Sequence, residues 1–339
     1  MSDIQHTPQT LEVYLLDKHI GRLYSDRAVL SFVYDSKYLE EPDATALSGS
    51  LPLQKDPFDH AVTAAFFSNL LPEGNARKNI ARYLKVSDKN TFELLKEIGG
   101  ECAGAVSVYP SGTSPDTTQS ATYKVLNDDE ADEVLSSLDK RPMMVGEEDI
   151  RISGAGAQEK LLIAFVDGKV AIPTGTTPST HIIKPMIKGL DETVQNEFFC
   201  MRLAKMVGLP VPNVEIYWLK NKPYYLIERY DRIKDEQGFI KRLHQEDFCQ
   251  AMKFPPEIKY QNEQGPSLED CFNLLDKRIQ SGVMSGKNKL TFLQGVIFNF
   301  IIGNGDAHGK NFSILYEGQS ERLAPFYDLL STIIYNDTK

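Results

Sequence analysis

Residues 11–34 alternate apolar and polar side chains, LEVYLL before a turn at Asp17 to Gly21 and RLYSDRAVLSFVY after it. That period of two predicts a small antiparallel sheet with one buried face. Residues 48–55, SGSLPLQK, read as a loop, because Pro52 removes a donor that a central strand needs. The pattern then lengthens to helical spacing over residues 61–71, which stop at Pro72-Glu73-Gly74, and over 88–98, which stop at Gly99-Gly100. An apolar strand at 103–109 closes the unit. Residues 110–120, PSGTSPDTTQS, are the sharpest compositional break and predict an exposed connection, with a short acidic helix at 128–138 beyond it.

A second region opens with strand-like Ile150 to Ser153, a small-residue loop Gly154 to Lys160, and a strand at 161–166. His181 to Pro185 reads as a strand carrying Lys184 near its end, and residues 193–207 read as a helix stopped by Gly208. Val194, Glu197, Met201 and Ala204 fall on one face of that helix. Glu197 therefore interrupts an apolar face, a buried carboxylate needs a partner, and Lys184 is the nearest candidate. A hairpin at 214–219 and 224–227 leads into Glu228-Arg229-Tyr230-Asp231-Arg232. Beyond Gln245 the pattern is mostly helical, at 246–252, 268–280 and 290–302. Leu290, Leu293, Val296, Ile297, Phe300 and Ile301 mark the last as a buried helix, entering the turn GNGDAHGKNFS and a strand at 311–316. A β-rich half followed by a helical half predicts two lobes around a cleft.

Composition narrows the classes. The chain has 339 residues, enough for two or three domains with sizeable cores. A net charge of −10 argues against nucleic-acid binding by the chain as a whole. Cys102, Cys200, Cys249 and Cys271 are too scattered for a zinc ribbon or disulfide framework, and are expected as buried thiols. The first residues lack the basic and apolar regions of a secretory leader, and no apolar run reaches the roughly 18–20 residues of a membrane span. The expected location is cytoplasmic, with no membrane partner.

The candidate chemistry lies in the order of the polar residues. The loop Gly154 to Lys160 would let backbone N–H groups approach an anion closely, although a plain hairpin connection fits the same residues. Lys184 and Glu197 match a strand lysine that holds nucleotide phosphates and pairs with a helix glutamate. A strand-end lysine and a glutamate favoured by the helix dipole is the competing reading. Asp306 and Asn311 are separated by four residues and followed by Asp328, the arrangement of a kinase catalytic Asp and its metal ligands. A capped polar turn would use the first two just as well.

The ordered set resembles the motifs of HipA-type toxin kinases: SGAGAQEK, HIIKP, IERYDR, GNGDAHGKNFS and FYDLLS, with SLPL, FFSNLLPEG and IGGECAGAV similar to that family's N-terminal subdomain. The resemblance runs from about Leu11 to Ser331. It implies an α+β, bilobal protein-kinase-like fold: a β-rich N-terminal lobe with an extra N-terminal subdomain, then a mostly helical C-terminal lobe. The divisions expected are 1–115, 116–240 and 241–339, with the last lobe shortened, since the family typically continues with a further helical segment. The implied activity is an ATP- and Mg2+-dependent serine/threonine protein kinase, the toxin of a toxin–antitoxin pair. Its implied substrate is a protein of the translation machinery such as an aminoacyl-tRNA synthetase. Its implied partner is a small helix-turn-helix antitoxin (HipB-like) that carries it to operator DNA.

The same resemblance implies residue roles. Asp306 is the catalytic Asp, and Asn311 and Asp328 are Mg2+ ligands. Lys184 holds ATP phosphates beside His308 and Lys310, with Glu197 as its pair. Ala155, Gly156, Ala157, Gln158, Glu159 and Lys160 form the phosphate loop. Glu228, Arg229 and Tyr230 form the hinge that receives adenine. Ser153 is the autophosphorylated serine. Two other readings stay open. One is a lipid or small-molecule kinase of the phosphoinositide-kinase type, because Gly-Asp-x-His-x-x-Asn loops also resemble those sites. The other is a catalytically inactive module that binds the antitoxin or its DNA complex.

Overall fold

In the computed structural model, residues 8–115, 122–147 and 149–335 are described. The expected connection at 110–120 therefore lies partly outside the described residues. The alternating N-terminal segment forms β1 (Gln9–Leu15), β2 (Lys18–Asp26) and β3 (Val29–Tyr34). A one-turn helix, α1 (Ser36–Leu39), follows, and then α2 (His60–Ser68), α3 (Gly74–Leu84) and α4 (Thr91–Ile98). The strand β4 (Val106–Pro110) returns to β1 and completes an antiparallel sheet of order β3-β2-β1-β4.

The Pro72-Glu73-Gly74 stop signal proves to be a start signal as well. Glu73 is the extended residue at the head of α3, a helix the hydrophobic pattern does not announce. The helix expected from residue 88 begins only at Thr91, because the Asn90 side chain accepts a hydrogen bond from the Glu93 N–H and caps it there. Residues 150–153 are not a strand. Only Ile152 forms an isolated bridge, with Glu101.

A second sheet is built from β5 (Tyr123–Val125), β6 (Leu161–Val166), β7 (Lys169–Pro173), β8 (His181–Pro185), β9 (Val214–Leu219) and β10 (Lys222–Glu228), in the order β5-β7-β6-β8-β10-β9. The acidic helix α5 (Asp128–Ser136) is closed at its head by a reciprocal Asn127–Glu130 capping box. Helix α6 (Thr193–Met206) follows β8, and Val194, Glu197, Met201 and Ala204 are all buried on one face. Two short strands, β11 (Arg232–Lys234) and β12 (Ile240–Arg242), pair with each other.

The remaining chain holds β13 (His244–Asp247), α7 (Phe248–Met252), α8 (Leu268–Gln280), α9 (Lys287–Ile302), β14 (Ser313–Glu317) and β15 (Ser320–Leu323). The helix expected at 246–252 starts two residues later than its pattern, because Asp247 pairs with Ser313 in the sheet and then caps α7 through Gln250. One core cluster joins the first sheet to β6, β7 and one face of β10 (Tyr224, Leu226), and a second joins the other face of β10 (Tyr225, Ile227) to α6, α7, α8, α9 and β14.

Helix α9 corrects an expectation. Leu290, Leu293, Ile297, Phe300 and Ile301 are exposed, Phe300 at 86%, whereas Phe292, Gly295, Phe298 and Asn299 are buried. The helix is apolar nearly all round, so its period identifies a helix but not the face that packs. All four cysteines are buried free thiols, as composition implied. Among the described residues no helix is long and apolar enough to cross a membrane.

Candidate active site

A cavity of about 650 Å³ lies between the two core clusters, and every candidate site residue taken from the sequence lines it. Its size is in the range of small-ligand and cofactor sites. Strand β8 supplies Lys184, held by antiparallel pairing opposite Tyr225. Helix α6 presents Glu197 from its buried face, and Lys184 Nζ donates to Glu197 Oε1 at 2.8 Å. The same amine donates to Asp328, which sits in left-handed backbone at φ 52°. One lysine thus links the second sheet, α6 and the segment after β15.

The electrostatics follow from this burial. Burial disfavours the Lys184 charge, but Asp328 and Glu197 outweigh it and hold the ammonium above its ordinary value. Burial likewise opposes the Asp328 carboxylate, yet Lys184 and Lys160 bring it down to about 2. Burial dominates at Glu197 and pushes its carboxyl up to about 7 despite Lys184. Lys160 is brought down to about 8 by burial, with Lys184 adding repulsion. Its amine bonds the carbonyl of Ala155, so it curls under its own loop. That curl is tight: Gly156 has φ +101°, and a Cβ there would lie 2.8 Å from Lys160 Nζ.

The opposite wall is the turn after α9. Gly303 caps the helix in left-handed conformation, and the chain passes through Asp306, His308, Lys310 and Asn311 before β14. Asn311 Nδ2 donates to the Asp306 carbonyl at 2.9 Å, which fixes the turn and leaves the amide oxygen for a ligand. The Asp306 side chain is 49% exposed. His308 is held down to about 4, first by burial and then by Lys259, so it is neutral near pH 7, and its Nδ1 is buried without a partner among the described residues. Lys310 is differently engaged: its amine donates to Asn69 Oδ1 and to Asp247 Oδ2.

In the segment Glu228 to Tyr230, two backbone donors are already used: Glu228 N–H on Asn213 O and Arg229 N–H on Thr180 O. The Arg229 guanidinium is turned into a buried cluster with Asp231, Ser179 and Glu101. The Tyr230 ring stacks on Tyr327, with centroids 5.7 Å apart. Ser153 is fully buried; its hydroxyl donates to Leu70 O at 2.6 Å and its N–H to Glu101 O at 2.8 Å.

Sequence reasoning missed what the N-terminal region contributes. Asn69, Glu73, Asn75, Ala76 and Ala103 line the cavity. The Glu73 N–H donates to Gly156 O at 3.0 Å, and its carboxylate lies 2.7 Å from Lys259 Nζ and 3.5 Å from Lys310 Nζ. An acidic residue between a proline and a helix start was the available signal.

The donor set suits a hard cation held together with phosphate. Asn311 and Asp328 offer amide and carboxylate oxygens to the same cavity. Among the described residues no group of three or more His, Cys, Asp or Glu could hold a metal by itself. Nucleotide phosphates and water would complete such a shell.

Comparison with known proteins identifies the family. Residues 11–109 match the family described as HipA N-terminal domain, and residues 152–339 match HipA-like C-terminal domain. The chain is 41% identical over 335 residues to the putative kinase Y4mE of Sinorhizobium fredii, covering 98% of this chain and 79% of that protein. It is 33% identical over 344 residues to the serine/threonine-protein kinase toxin HipA of Shewanella oneidensis, covering 97% of this chain and 76% of that one. The Shewanella oneidensis HipA structure solved with HipB and operator DNA superposes with a TM-score of 0.78 at 31% identity, over 97% of this chain and 78% of that chain. The protein is a kinase, and its relatives imply the use of ATP. Within the kinases, the chain belongs to the HipA family.

Proposed function

We propose that the cleft transfers the γ-phosphoryl group of ATP, with Mg2+, to a serine or threonine hydroxyl of a protein substrate. The observation that carries this reading is the bridge from buried Glu197 through buried Lys184 to the partly exposed Asp328, facing Asp306 and Asn311 across one cavity. Catalysis of this kind is mostly positioning and charge stabilisation. Lys184 and Lys160 hold the phosphates, and the loop Ala155 to Lys160 covers them. Asn311 and Asp328 hold Mg2+, which neutralises charge developing on the phosphates. Asp306, half-exposed, orients the acceptor hydroxyl and takes its proton. Glu228 to Tyr230 act as the hinge for adenine through the backbone groups still free. Residues 1–115 then form the N-terminal subdomain, 116–240 the β-rich lobe and 241–339 the helical lobe.

Ser153 is the proposed site of autophosphorylation. Its burial against Leu70 and Glu101 means that the loop must leave its seat before the hydroxyl can receive phosphate. A phosphate adds about −1.5 to −2 charges, which cannot return to that seat, and the kinase then switches itself off. The external substrate is a protein of the translation machinery, such as an aminoacyl-tRNA synthetase. The partner is a helix-turn-helix antitoxin, by analogy with the Shewanella protein solved with HipB and operator DNA. A net charge of −10 supports reaching DNA mainly through that partner.

The test is incubation of the purified chain with labelled ATP and Mg2+, followed by mapping of phosphate by mass spectrometry. Label on Ser153 that disappears in Asp306→Asn is expected. ATP binding without any transfer contradicts the reading.

A further inference from the structure

The segment between α7 and α8 touches the catalytic turn and sends Lys259 to the cavity lining. At one end Asn69 Nδ2 of the N-terminal region donates to Phe254 O at 2.9 Å. In the middle Lys259 Nζ donates to Glu73 Oε2 at 2.7 Å, while the Lys259 carbonyl accepts from Gly309 N–H at 3.2 Å. At the far end Gly265 N–H donates to Tyr260 O at 2.9 Å, and a Cβ on Gly265 would meet Ile258 O at 2.4 Å. The segment is therefore a tightly closed loop, fastened to the N-terminal region on one side and to the catalytic turn on the other. At its centre the Tyr260 hydroxyl donates to Asp306 Oδ1. The Tyr260 ring stands edge-on to His308, with centroids 4.8 Å apart at 82°.

We infer that Tyr260 is a positioning residue for Asp306, and that through Lys259 and Glu73 the N-terminal region fixes the geometry of phosphoryl transfer. The inference rests on Asp306 being the catalytic carboxylate. A side chain that is 49% exposed, with the neutral His308 ring nitrogen Nε2 3.9 Å away, needs a directional contact to hold one rotamer. The phenol supplies that contact to Oδ1 and leaves Oδ2 for the acceptor hydroxyl. The ring of His308 and the backbone bond at Lys259 keep the phenol itself from swinging. Such a contact acts on the transfer step and not on ATP binding, because Tyr260 does not line the nucleotide cavity.

The experiment compares wild type, Tyr260→Phe and Asp306→Asn in the full chain, by steady-state transfer and by calorimetric ATP binding. Tyr260→Phe keeps the ring against His308 and removes only the hydroxyl. The expected result is a fall in kcat of about 10- to 100-fold, the scale of a misplaced catalytic group, with ATP affinity within about twofold of wild type. Lys259→Met should lower kcat in the same direction by less, since the backbone bond to Gly309 remains. Wild-type kcat in Tyr260→Phe beside an inactive Asp306→Asn overturns the positioning role alone. A parallel loss of kcat and ATP affinity in Tyr260→Phe overturns it too, because that is what a structural role would give. Full activity in Asp306→Asn overturns the site reading, and this inference with it.

Discussion

The chain buries two clusters of charge, and they are built differently. In the first, Arg229 grips Asp231 with two nitrogens at 2.9 and 2.7 Å, while Arg232 donates to Glu101 Oε1 at 2.9 Å. Gly104 N–H and Ser179 supply further hydrogen bonds to the same carboxylates. In the second, at the cleft, Lys184 joins Glu197 and Asp328, but Lys160 has a carbonyl for its hydrogen-bond partner and His308 Nδ1 has none among the described residues. Arg232 is held down to about 10, chiefly by burial and by Arg229 beside it, and still stays charged at neutral pH. Lys160, down to about 8, is still mostly charged at neutral pH and would keep its charge to higher pH beside a phosphate. Burial of charge alone does not mark a functional site. The first cluster pairs each arginine with a carboxylate, although Glu101 Oε2 and Arg232 Nε have no hydrogen-bond partner among the described residues, and it joins the Glu101 turn to the segment after β10. In the second, Lys160 has no carboxylate in an ion pair among the described residues, and a nucleotide phosphate would supply that anion.

That contrast can be broken at either end. Asp306→Asn should lower kcat by about 10²- to 10⁴-fold, the usual value of a positioned acid–base group, with ATP affinity retained. Phosphate release or transfer assays together with ATP titration check it. Glu101→Ala should destabilise the fold by about 3–5 kcal/mol, because it leaves a buried arginine uncompensated. Urea unfolding measures that loss, and ATP affinity of the folded fraction should stay near wild type. A smaller effect is expected from pH. As pH rises through about 8 the buried Lys160 loses its proton, and ATP binding should weaken by about tenfold at pH 9 relative to neutral pH. Lys160→Arg should flatten that dependence. The sign for stability is opposite: the folded value lies below the free value of 10.5, so the unfolded chain binds more protons between them and the ATP-free fold gains stability across that window. The smallest change is the control. Asn127→Ala removes the capping box of α5 and should cost about 1 kcal/mol in thermal unfolding, with no effect on kinase activity.

Much of the site was legible because its residues sit on strongly patterned elements. Lys184 lies on an apolar strand, and Glu197 interrupts the apolar face of a helix. That interruption is a physical anomaly that demands a partner, and the ion pair supplies it. Asp306, Asn311 and Asp328 were legible by spacing. Glu73, Lys259 and Tyr260 were not, because each takes its meaning from a contact across the fold: 186 positions separate Lys259 from Glu73, and 46 separate Tyr260 from Asp306. Local periodicity carries no trace of such contacts. Helix α3 was hidden for another reason. Its residues GNARKNIARYL are mostly polar, and only Ala76, Ile80 and Ala81 are buried. Helix α9 failed in the opposite way, since both of its faces are apolar and the exposed one looked like the core.

The central claim is that binding and chemistry in the cleft are divided, with Lys184 holding the nucleotide and Asp306 acting on the acceptor. Calorimetric titration of wild type, Lys184→Met and Asp306→Asn with ATP and Mg2+ tests this most directly. Asp306→Asn should bind ATP as wild type does, while Lys184→Met should bind at least about tenfold more weakly. Wild-type ATP affinity in Lys184→Met would contradict it.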